Sequence, residues 1–142
     1  MERRPCKLET IRMKLESPKV TAEKSQTEMF KFLTNVENYE QIMPSSKEKF
    51  ELIAEDTFLF QLKGMPEIRL KIVETQEPSL VVLGSTSDKF PFKLNTHIAA
   101  ASENQSEVNM DFEGNFNPMM SMMIKGPLKK FITALTENIG KL

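Results

Sequence analysis

Among 142 residues there is one cysteine, Cys6, one histidine, His97, and no tryptophan. A transition-metal site needs several convergent His, Cys or carboxylate groups, and this supply argues against one. A lone cysteine closes no internal disulfide and points to a reducing compartment. The opening MERRPCKLETIRMKLESP is charged, is broken by Pro5 and Pro18, and has no apolar core of a signal peptide. No apolar run approaches the roughly 20 residues of a bilayer span, so a soluble cytoplasmic protein with no integral membrane segment is expected. Charge of either sign is not in excess: 19 Lys+Arg face 20 Asp+Glu, for a net charge of -1. That balance argues against a nucleic-acid partner, which favours a basic face. Gly-rich phosphate loops, nucleophile elbows and zinc-ligand spacings are also missing. The expectation is therefore no metal, no cofactor and no assigned catalytic residue.

What the chain does have is ten Phe and ten Met, arranged with clear periodicity. Leu8–Leu15 alternates as a half-buried strand that is expected to run past Pro18 to Val20. Ser25-Gln26-Thr27-Glu28 has the form of a capping box, followed by Met29, Phe32, Leu33 and Val36 at helical spacing. A second short helix, Tyr39–Met43, should end at Pro44. From Lys49 to Phe116 the period falls to two and turn residues punctuate six successive strands, which implies an antiparallel meander. Asn117-Pro118 then supplies a helix cap and a first-turn proline. Met120, Ile124, Leu128, Phe131, Leu135, Ile139 and Leu142 follow as one apolar stripe. The fold class is α+β: a seven-stranded curved antiparallel sheet wrapped around a long C-terminal helix, with two short helices after strand 1, all in a single domain spanning residues 1–142. A sheet with one apolar face must bury it, and the amphipathic helix is the obvious cover.

This order, with its local motifs, resembles the START and birch-pollen-allergen-like superfamily, also called SRPBCC, and its small bacterial members in particular. The motifs are Met29-Phe30-Lys31-Phe32-Leu33, Asn38-Tyr39, Met43-Pro44 and Gly64-Met65-Pro66-Glu67-Ile68. The strongest are Asn117-Pro118-Met119-Met120 and Lys125-Gly126-Pro127-Leu128-Lys129-Lys130-Phe131. The resemblance implies a helix-grip fold with a cavity between sheet and helix. It also implies carriage of a hydrophobic small molecule or lipid. Other members are polyketide cyclase- or dehydratase-like enzymes, or co-chaperone-like and dimerising modules. The cavity mouth would fall at Gly64–Glu67, Asp88–Phe92 and Asn115–Met123.

By strand alternation the inward face comprises Phe58, Phe60, Leu62, Ile68, Leu70, Leu80, Val82, Phe92, Leu94, Met110 and Phe112, with Thr96 as its polar exception. A solid core has the same composition as an apolar ligand site, and only the resemblance tips the reading towards a cavity. On that reading the helix contributes Met120, Met123, Ile124, Pro127 and Phe131 to the lining.

Most chemistry-bearing side chains have a plainer account. His97 alternates with Leu94 and Thr96, so it should face outward unless a bulge intervenes. Asp111 and Glu113 alternate with Met110 and Phe112 and should face water. Cys6 has Arg3, Arg4 and Lys7 nearby but lies in a terminal segment where an incidental thiol is expected. Tyr39 should pack its ring with the hydroxyl in water.

The stretch NPMMSMMIKGPLKKF is less easily dismissed. Met120 and Met123 are expected on or beside the buried stripe, whereas Met122 sits about 200° from Met120 on the lysine side. Pro127 lacks the amide that would bond the Met123 carbonyl, so a bend is expected there. It serves either to follow a curved sheet or to let Asn117–Lys125 move over a mouth.

Overall fold

The computed structural model describes residues 11–45, 47–63, 65, 67–86 and 92–142. Cys6, the Leu8–Thr10 start of the first strand, Gly64, Pro66 and Asp88–Pro91 of the expected mouth lie outside the described residues. The strands are β1 (Ile11–Glu16), β2 (Val20–Ala22), β3 (Lys47–Ala54), β4 (Thr57–Leu62), β5 (Ile68–Gln76), β6 (Leu80–Ser85), β7 (Phe92–Ser102) and β8 (Gln105–Phe116). The helices are α1 (Gln26–Thr34), α2 (Tyr39–Ile42) and α3 (Pro118–Ile139). A 3-10 turn, Val36–Asn38, joins α1 to α2.

All strands form one antiparallel sheet in the order β1-β8-β7-β6-β5-β4-β3, with β2 also on β8. The count is eight rather than seven because the first strand breaks at Pro18, which has no amide to give the ladder. Ser17 bridges the break. Its backbone amide donates to the Met110 carbonyl at 2.8 Å, and its hydroxyl accepts from the Met110 amide at 2.9 Å. Pairing with β8 then resumes at Val20↔Val108.

The helix starts follow the sequence signals. The Ser25 hydroxyl accepts from the Glu28 amide at 3.2 Å, and Glu28 accepts from the Ser25 amide at 3.1 Å. The bond from the Ser25 amide, followed by the Ser25 side chain, holds the Glu28 carboxyl below its usual range. Asn117 Oδ1 accepts from the Met120 amide at 2.7 Å, with Pro118 opening α3.

The inner face of the sheet meets α1, α2 and α3 in one core. Aromatic rings link the layers: Tyr39 of α2 stacks on Phe58 at 5.1 Å, and Phe60 stacks on Phe131 of α3 at 4.9 Å. Tyr39 differs from expectation. Its hydroxyl is buried and donates to the Leu33 carbonyl at 2.7 Å, a bond that satisfies it without water, and burial pushes its pKa well up. This bond ties α2 back to the end of α1.

Two expected inward residues are on the other side of the sheet. Leu80 pairs with His97 and Val82 with Asn95, which places both on the outer face. Val81 and Leu83 pair with Thr96 and Leu94 and belong to the core. The run Leu80-Val81-Val82-Leu83 contains no polar residue to fix its phase, so alternation alone cannot choose between the two faces.

Candidate functional site

The remaining expected lining residues divide by depth. Phe58, Phe60, Leu62, Leu70, Leu94, Thr96, Met110 and Phe112 are buried, as are Ile124 and Phe131 of α3. Ile68, Phe92 and Met120 are partly buried against the same core. Pro127 is exposed within the uninterrupted run of α3. Met123 is turned outward, 65% exposed. The cause is the rotation of α3. Ser121, Ile124 and Leu128 face the sheet, and at about 100° per residue Met123 points roughly 100° away from Ile124, on the side opposite Ser121. A small hydroxyl therefore occupies the position that a methionine was expected to fill. Ser121, Ile132 and Thr136 are buried α3 residues that the apolar stripe omitted. The i, i+3, i+4 spacing of Ser121 from Ile124, and of Ile132 from Leu128, carries their signal.

The interior between sheet and helix is packed where Phe60 meets Phe131. Open space begins beside that contact. A crevice of about 390 Å³ is lined by Pro44, Leu62, Lys63, Met65, Gly126, Pro127, Lys130, Phe131 and Ala134. It lies between the Gly126–Ala134 stretch of α3, the end of β4 and the residues just after it. Its wall includes Leu62, Pro127 and Phe131 from the expected set, together with Met65, which the sequence reading placed only at the mouth. Met65 is buried, and its amide donates to the Leu62 carbonyl at 3.0 Å while its carbonyl accepts from Gln61 Nε2 at 3.1 Å. Those bonds fix one wall of the crevice. The opposite wall is the part of α3 where Pro127 removes a helical hydrogen bond and where a side chain added at Gly126 would meet nothing within 4 Å.

Two hydroxyls inside the core, Thr96 Oγ1 and Ser106 Oγ, have no hydrogen-bond partner among the described residues. An unpaired buried hydroxyl costs about 1–3 kcal/mol, so Thr96 is an anomaly on an otherwise apolar face.

The outer face holds the titratable groups. His97 Nε2 lies 2.7 Å from Asp111 Oδ2, and Asn95 Nδ2 donates to Asp111 Oδ1 at 2.7 Å and to Glu113 Oε2 at 2.9 Å. The histidine faces outward as alternation requires. Asp111 is less exposed than expected because Asn95 and His97 bracket it. This network lies across the sheet from the core and cannot reach anything held under α3. Among the described residues no group of three or more His, Cys, Asp or Glu is placed to hold a metal ion. Among the described residues no helix is long and apolar enough to cross a membrane.

These features define a helix-grip fold, the fold that the START and birch-pollen-allergen-like resemblance implies: a curved antiparallel sheet closed over one long C-terminal helix, with short helices after the first strand. Solved structures of known proteins share it across nearly the whole chain. Norcoclaurine synthase from Thalictrum flavum, in complex with dopamine and hydroxybenzaldehyde, is 13% identical, with a TM-score of 0.69 over 99% of this chain and 92% of that one. A START superfamily protein from Mycobacterium smegmatis is 12% identical, with a TM-score of 0.65 over 90% of this chain and 97% of that one. A conserved protein from Geobacillus kaustophilus is 14% identical, with a TM-score of 0.65 over 91% and 93%. At these identities the likeness is one of fold. No family model and no curated protein matches the chain.

Proposed function

We propose that this protein binds a hydrophobic small molecule or lipid beneath α3, through the crevice at Gly126 and Pro127. The observation that carries the reading is the apolar lining of that crevice by Leu62, Met65, Pro127, Phe131 and Ala134, continuous with the core. Its volume, about 390 Å³, falls within the range of small-molecule sites. Phe131 forms part of the lining and also stacks on Phe60, so a ligand larger than the crevice must part that contact. The Gly126-Pro127 step offers a means, because it lacks one helical hydrogen bond and the segment before it is fixed to the sheet by few buried side chains. Ligand held there loses apolar surface to protein, worth about 25 cal/mol per Å², and the protein acts by sequestration. The complex of norcoclaurine synthase with dopamine and hydroxybenzaldehyde supports the fold as a host for small organic molecules. Acid–base catalysis has no such support, since the His97–Asp111 pair is on the outer face.

Mass spectrometry of denaturing extracts of the purified protein tests the reading, paired with uptake of fatty-acid and polyaromatic fluorescent probes. The expected result is a co-purified apolar molecule or saturable probe uptake that Ala134→Phe blocks by filling the crevice. Absence of both a ligand and any uptake overturns it.

A further inference from the structure

Among the described residues the exposed large apolar side chains are Leu52, Ile53, Val73, Met119, Met122 and Met123. Half of them stand together on the first turns of α3, with Met119 74% and Met122 84% exposed. At about 100° per residue the three methionines fall within an arc of roughly 100° on the side facing away from the sheet. The cluster is thus one surface, and the core uses none of it.

Charge is distributed around it in a consistent way. From Pro118 to Thr136 the helix carries Lys125, Lys129 and Lys130 and no Asp or Glu. The Lys125 and Lys130 side chains are exposed and make no ion pair with a described residue. Lys129 donates to the Glu16 carbonyl. On the β1 side, Met122, Lys125 and Lys129 share a groove with Lys14 and Glu16, and on the other side Lys130 borders the crevice with Lys63. Along the axis the lysines follow the methionines by two to eleven residues, or about 3–16 Å at the helical rise. The arrangement is an apolar tip backed by a cationic belt.

We propose that this face of α3 docks on an anionic lipid bilayer. The depth fits: an amphipathic element enters the headgroup–acyl boundary by about 5–10 Å, which takes the thioether side chains into the acyl region and leaves lysines among the phosphates. Flexible, unbranched methionines adapt to a disordered surface at little cost. A second copy is a poor occupant, because pairing two such faces sets lysines against lysines with no acidic residue on the segment to compensate. The proposal stands on the outer face of α3 and holds whether or not the crevice beneath it takes a ligand.

The test is co-sedimentation of the full chain with phosphatidylcholine vesicles, with and without about 30% phosphatidylserine, at low and high salt. Binding is expected to the anionic vesicles only and to weaken as salt rises. Lys125→Gln and Lys130→Gln should each weaken it about fivefold. The triple variant Met119→Gln, Met122→Gln, Met123→Gln should weaken it more than tenfold. Unchanged melting temperatures show that these variants still fold, as expected for exposed side chains. Failure to sediment with anionic vesicles overturns the proposal, as does wild-type binding by the triple methionine variant. Light scattering that shows a dimer which the triple variant dissolves also overturns it, by assigning the face to a second copy.

Discussion

The two halves of α3 obey different rules. From Leu128 to Ile139 the helix is gripped: Leu128, Phe131, Ile132, Leu135, Thr136 and Ile139 are buried, and Asn138 Nδ2 donates to the Ile42 carbonyl at 2.8 Å. From Pro118 to Pro127 only Ser121 and Ile124 are buried, while three methionines face out. Gly126 and Pro127 stand at the boundary. A helix is stabilised mainly by packing of its apolar face rather than by propensity. The second half therefore belongs to the core, and the first half depends on its cap and on two inward side chains. The same helix is core at one end and largely exposed surface at the other.

The strongest way to break this comparison is to truncate the gripped half. Phe131→Ala removes a buried ring that stacks on Phe60 at 4.9 Å, and a loss of about 3–5 kcal/mol is expected in denaturant unfolding. A loss below about 1 kcal/mol would mean that the site collapses or already has space around the ring.

Next in size is the cap of the ungripped half. Asn117 Oδ1 accepts from the Met120 amide at 2.7 Å, and Asn117→Ala should cost about 1 kcal/mol. If the halves are energetically separate, hydrogen exchange will quicken at Ser121–Ile124 and stay unchanged at Ile132–Thr136. Equal acceleration across the helix would show a single cooperative unit.

The sequence made the boundaries of this helix readable but not its rotation. Asn117-Pro118 and the capping box at Ser25 are local signals whose bonds involve neighbours within a few residues, and such signals survive without tertiary knowledge. The six-strand meander was equally plain, because polar and apolar residues alternate through most of it. Where alternation stops, legibility stops: the uniformly apolar Leu80–Leu83 run took its phase from β7, and Leu80 and Val82 went to the outer face. Met123 was misplaced for a related reason. Hydrophobicity ranks a methionine above a serine, yet the helix turned Ser121 inward because Ile124, Leu128 and Phe131 fix its angle. The crevice was beyond sequence reach, since its walls join Pro44, Met65 and Ala134 from distant parts of the chain. Of those, only Met65 is in a segment that the family resemblance assigns to the cavity mouth.

A smaller and opposite effect is expected at the boundary itself. Gly126 is exposed, and a side chain added there meets nothing within 4 Å. Gly126→Ala should therefore stabilise by about 0.5–1 kcal/mol through helix propensity and a less flexible unfolded chain. If Gly126 and Pro127 act as a hinge that lets the first half move over the crevice, the same change will slow probe uptake without lowering probe affinity. An unchanged uptake rate would remove the hinge.

The smallest effect on stability belongs to Met122. Met122→Gln keeps side-chain length and replaces a thioether with an amide at a position 84% exposed. Exposed substitutions away from caps and networks change stability by no more than about 0.5 kcal/mol, and the melting temperature should hold. Met120→Gln is the informative partner, because Met120 packs partly against the core two positions away. Burying its amide without a hydrogen bond should cost about 1–3 kcal/mol on the scale of protein substitutions. A measured difference between the two places the inner edge of the first half between adjacent faces of one turn. Equal costs would mean that Met122 is covered in solution, and the ungripped half would then be half of an interface.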